Sequence, residues 1–116
     1  MKTILIDGEE YVKKGDAANQ KTGNDYYMVR TYSAGVFYGQ IKSRFGKEVH
    51  LTNARRVYKW AGASTLSQLA MEGTKDAENC KMPMPVDNII LTEAIEIIKI
   101  TDEALKSLNG VMIWEQ

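Results

Sequence analysis

The sequence predicts an α+β fold, a mainly antiparallel β-sheet with two short α-helices, and three observations carry that expectation. β-Branched and aromatic residues dominate positions 26 to 60, interrupted only by brief turn signals. Two later segments switch to helical spacing, each preceded by a hydroxyl suited to capping and followed by a glycine. Strands and helices do not alternate regularly, which argues against a parallel sheet with crossover helices.

Taken in order, "TILIDGEEYVKK" places Asp7-Gly8 between two strand-like runs, the signature of a tight hairpin. Residues 14 to 25 are small and polar and read as a loop, so residues 1–25 form an N-terminal hairpin with a variable loop, and 26–116 a single α+β ligand-binding domain. Four antiparallel strands are expected at about 26 to 32, 36 to 42, 47 to 51 and 55 to 60, broken at Ser33-Ala34-Gly35, Arg44-Phe45-Gly46 and Thr52-Asn53. "ASTLSQLAMEG" brings Leu66, Leu69 and Ala70 onto one helical face, with Ser64 or Thr65 as cap and Gly73 as stop. Two prolines forbid regular structure around 83 to 85. "NIILTEAIEIIKI" is apolar on both parities, which suits an inner or bent strand better than an edge, although "LTEAIEII" also fits a helical stripe. Thr101 with Asp102 and Glu103 starts a second helix that Asn109-Gly110 ends, and "VMIWE" reads as a closing strand.

Fifteen basic against fifteen acidic residues give no net charge, so the broad basic footprint of a DNA- or RNA-binding protein is missing. Apolar runs fall far short of the roughly 20 residues that cross a membrane, and the N-terminus turns polar too early for a signal peptide, so a cytoplasmic protein is expected. With one cysteine, Cys80, no internal disulfide forms, and the expected role of Cys80 is a small buried or half-buried residue. Catalysis lacks a base: His50, the single histidine, alternates with Val49 and Leu51 and is expected to face solvent. Glu93 and Glu96 converge only on a helix, so no metal site is expected, and "SAGVFYG" lacks the spacing and the lysine of a phosphate loop. No enzyme and no cofactor are expected.

Recognition by rings and cations remains. Adjacent Arg55 and Arg56 face opposite ways on a strand, which puts Arg56 in a row with Tyr58 and Trp60 and Arg55 beside Val57 and Lys59. Such a row can sandwich a nucleobase and pair with phosphate, or it can be a structural cation–π ladder worth ~0.5–2 kcal/mol. The small residues Gly62, Ala63, Ser64 and Thr65 then expose backbone N–H groups at a helix start, where an anion could sit. Arg30, beside the Ser33-Ala34-Gly35 turn, offers a further cation.

The segments "YYMVRTYSAGVFYG", "NARRVYKWAGASTLSQLAMEG" and "LTEAIEIIKIT" resemble a family of short proteins from phages and prophages, over roughly residues 26 to 116. That family is similar to the Thoeris anti-defence sponges, small β-rich oligomers that sequester cyclic ADP-ribose-type signals, some of which also hold cyclic dinucleotides. The resemblance implies a homo-oligomeric phage anti-defence protein in the host cytoplasm. It would bind a nucleotide immune signal between subunits without cleaving it. Arg30 and either Arg55 or Arg56 would be its cations, with Asn88 as a base or ribose contact; the row, the turn and the helix start add Ser33, Gly35, Tyr58, Trp60 and Ser64 as candidate ligand contacts. Lys106 stands where an arginine would grip phosphate better. The rival expectation is a protein-interaction module, inhibiting a host protein or serving as a phage accessory protein, with Tyr26, Tyr27, Phe37, Tyr38 and Trp60 as contact surface. A hydrolase or nuclease comes third.

Overall fold

The β-branched and aromatic run folds as three strands, not four. The computed structural model describes residues 25–115, so the expected hairpin and nearly all of the loop after it lie outside the described residues. β1 spans Tyr27–Thr31, β2 Val36–Phe45 and β3 Glu48–Val57. The expected break at Thr52 and Asn53 is a bulge within β3. Asn53 takes φ 50°, and pairing slips by one residue, from Tyr38 opposite Arg55 to Gln40 opposite Thr52. Asparagine tolerates this left-handed conformation, and its side chain donates to Gln40. Gly39 makes space for the bulge, since a Cβ there would lie 3.0 Å from both Ala54 Cα and Thr52 O.

Both helices form where the spacing predicts. α1 covers Leu66–Glu72: Thr65, not Ser64, caps it by accepting from Gln68 N, and Gly73 N–H closes it on Leu69 O. α2 covers Asp102–Asn109, capped by Thr101 Oγ1, which accepts from Ala104 N.

The segment read as an inner or bent strand is bent at Thr92 and Glu93 into two strands, and both lie at edges of the sheet. β4, Val86–Leu91, pairs with β3, and β5, Ala94–Lys99, pairs with β1, giving the antiparallel order β4-β3-β2-β1-β5. Only Thr92 and Glu93 separate these opposite edges. Three Cα steps reach about 11 Å. Four strand spacings in a flat sheet would need about 19 Å. The sheet therefore curls until its edges approach, and Tyr32 N to Glu93 O (2.9 Å) and Ala94 N to Lys47 O (3.0 Å) hold the corner.

The curl encloses one sheet face, and the two helices cover the middle of the other. Inside lie Val29, Phe37, Val49, Leu51, Ala54 and Leu91. Outside, Met28, Tyr38 and Val57 pack under Leu69, Ala104, Leu108 and Met82 from the helical side. Ile89, Leu91 and Ile97 pack inside and Ile98 and Ile100 outside, which accounts for much of the apolar character of both parities, while Ile90 and Ile95 remain exposed. The expected closing strand is absent: residues 111–115 make a single parallel bridge, Met82 to Ile113.

Candidate functional site

Arg55 and Arg56 do face opposite ways, and the two faces give them different fates. Arg55 points outward beneath α2 and is 4% exposed. Its Nε donates to Pro83 O (2.9 Å), Nη1 to Leu108 O (3.1 Å) and Tyr38 Oη (3.4 Å), and Nη2 to Met82 O (3.0 Å) and Val111 O (2.8 Å). Every guanidinium nitrogen is thus occupied within the protein. The charge sits against carbonyls at the C-terminal end of α2, where the helix dipole is negative. Tyr38 completes the network by donating to Asn109 Oδ1 (2.9 Å). Burial pushes the Tyr38 hydroxyl above its ordinary value, while the Arg55 hydrogen bond and charge pull it partly back. Arg55 holds the fold together and presents no donor to a ligand.

Arg56 is exposed and lies at the mouth of the curl. Its guanidinium carbon stands 4.4 Å from the Phe37 ring centroid, and Nη1 donates to Ala34 O (2.7 Å). The Ser33-Ala34-Gly35 turn aims that carbonyl. Gly35 adopts φ 101°, a conformation side chains resist, and Thr31 ties the turn through Gly35 O (2.7 Å) and Ala34 N (2.9 Å). Nε and Nη2 of Arg56 have no partner among the described residues. Arg56 also lines a small, mainly apolar pocket, together with Phe37, Ala54, Pro83, Met84, Val86 and Ile89.

The expected row of Arg56, Tyr58 and Trp60 does not form, because the regular strand ends at Val57. Trp60 turns into the outer core as a half-buried residue. Tyr58, 63% exposed, stacks on Trp114 with centroids 5.1 Å apart and planes 11° off parallel. Lys81 Nζ stands 5.4 Å from the Trp114 ring centroid, and no carboxylate pairs with it among the described residues. Sequence reasoning missed this platform. Trp114 belongs to a segment read as a closing strand, and only the bonds of Tyr58 N to Lys81 O (3.0 Å) and Trp114 N to Met82 O (3.0 Å) bring the pieces together.

The other expected residues are dispersed. Arg30 is exposed and paired with Glu96 (3.0 Å), and Ser33 donates to Glu93 (3.0 Å). Ser64 is exposed, with its N–H given to Gln68 Oε1 (2.9 Å). Asn88 meets His50 Nε2 through Oδ1 at 3.0 Å. Lys106 sits exposed in the last turn of α2. Among the described residues, no three His, Cys, Asp or Glu side chains gather to hold a metal.

No curated protein and no solved structure matches the chain. A family model matches residues 24–108, which takes in the whole sheet, α1, nearly all of α2, Arg56 and Tyr58, and stops short of Trp114. The chain therefore belongs to the DUF6948 family, described as a domain of unknown function.

Proposed function

We propose that this domain is a non-enzymatic binder of a nucleotide-type ligand, and that in the phage setting implied by the sequence resemblance it sequesters a cyclic ADP-ribose-type or cyclic dinucleotide immune signal. The observation that carries the reading is the exposed Tyr58 ring stacked on half-buried Trp114 beside the Lys81 ammonium, which no carboxylate pairs among the described residues. A nucleobase stacks on such a ring for ~1–3 kcal/mol, and a lysine supplies a point charge for phosphate. The platform is open, so enclosure of the ligand calls for a second copy of the chain. Met112, 86% exposed, lines a pocket together with Trp114 and provides apolar surface for that contact, while Met84, 65% exposed, belongs to the pocket beside Arg56.

Thermal denaturation with cyclic ADP-ribose isomers and cyclic dinucleotides tests the reading. A ligand at a hundred times its Kd adds ~2.7 kcal/mol of stability and is recovered intact after heating. Trp114→Ala and Tyr58→Ala each remove the shift. A panel in which no nucleotide stabilises the protein overturns the reading.

The same exposed methionines, with Ile113 at 49% exposure, favour a second reading as a protein-interaction module. Its surface would differ from the one expected from sequence, because Phe37 and Tyr38 are buried and Tyr26, Tyr27 and Trp60 half-buried. A stoichiometric host protein co-purifying in the absence of nucleotide, and lost on Met112→Asp, distinguishes it.

A further inference from the structure

The geometry points to a second binding site, at Arg56, for a small aliphatic carboxylate. Of the other arginines, Arg55 is committed to buried carbonyls and Arg30 to Glu96, while Arg44, whose Nε donates to Gly46 O, faces a pocket that the Glu96 carboxylate shares. Arg56 alone combines an unneutralised guanidinium with an adjoining apolar cavity. It is also held in place before any ligand arrives, by the face of Phe37 and by Ala34 O. Nε and Nη2 form the open side of the fork, and two parallel N–H groups in one plane match the two oxygens of a carboxylate.

The pocket beside that fork sets the rest of the ligand. Its volume is about 120 Å³, and Phe37, Ala54, Pro83, Met84, Val86 and Ile89 contribute no charge to it. An apolar cavity of roughly 150 Å³ accepts benzene, so this one has room for an alkyl group of about four or five carbons. A carboxylate one or two bonds from a branched alkyl group fits both halves. Free short-chain acids have that chemistry, and so does the last residue of a chain ending in leucine, isoleucine or valine. The pocket shares no lining residue with the Tyr58–Trp114 platform and stands whether or not nucleotides bind there.

Titration of the full chain with acetate, butanoate, 4-methylpentanoate and octanoate, followed by the NMR signal of Arg56 Nε–H, tests the assignment. Each methylene tightens binding by roughly fourfold until the pocket is full, so affinity rises to 4-methylpentanoate and gains nothing further with octanoate. Arg56→Gln weakens 4-methylpentanoate by at least about tenfold, the loss expected for a charge-assisted contact. Val86→Phe, at a position 45% exposed, fills the pocket and removes the chain-length dependence while leaving the fold intact. 4-Methylpentanamide does not bind. A pentapeptide ending in leucine binding more tightly than the free acid identifies a chain end as the source, and the reverse order identifies a free acid. Absence of a saturable shift with every acid, equal binding of acid and amide, or unchanged binding in Arg56→Gln overturns the proposal. Trp114→Ala removes nucleotide binding alone, so failure here and failure of the nucleotide reading are separable.

Discussion

Two arginines side by side in the chain differ in what their removal should do. Arg55→Met leaves five hydrogen-bonding partners, four of them backbone carbonyls, without a donor in a buried setting. It should lower the unfolding free energy by roughly 3–5 kcal/mol, measured by urea denaturation. Arg56→Gln, exposed and losing only the Phe37 ring and Ala34 O contacts, should lower it by no more than about 1 kcal/mol. Tyr38 gives the same cluster a pH signature. Folding raises the affinity of its phenol for the proton, so that contribution is complete below the ordinary value of 10.0 and is lost as pH rises from there through the higher folded-state value. Tyr38→Phe should flatten the alkaline fall of the urea midpoint. Alternation in the sequence sufficed to set these arginines on opposite faces. Which face was wet was not legible, because the curl covers one face and the helical side the other, and residues far along the chain at 82, 83, 108 and 111 decide it.

Helices were the most legible elements, since their signals are local. Thr101 does more than cap α2: its hydroxyl accepts from Ala104 N (3.1 Å) and donates to Met71 O (2.7 Å), tying α2 to the end of α1. Thr101→Ala should cost about 1–2 kcal/mol, and Thr101→Ser should recover most of it, by thermal denaturation. Strand boundaries were less legible where an irregularity has a partner elsewhere. Thr52-Asn53 looks like a turn from within β3. It is a bulge because Gly39, on the neighbouring strand, has no side chain to oppose it. Gly39→Ala should therefore destabilise by about 1–3 kcal/mol through crowding against Ala54 and Thr52 O. The candidate platform escaped notice for a related reason. Tyr58 and Trp114 are 56 positions apart and meet only through the short bridges at Lys81 and Met82.

At the scale of the molecule, α+β architecture and the antiparallel sheet followed from composition and spacing. The closure of the sheet did not, because apolar residues on both parities describe an inner strand and a two-sided edge equally well. The corner at Thr92 and Glu93 makes the two outermost strands one continuous length of chain, so neither can peel away without dragging on the other. Amide exchange in β4 and β5 should accordingly share one opening rate. Lengthening the corner with a Gly-Ser-Gly-Ser insertion should split that rate in two and expose both borders to neighbouring molecules, seen as concentration-dependent aggregation. The corner works as a clasp: a two-residue span that keeps a sticky-edged ribbon rolled shut.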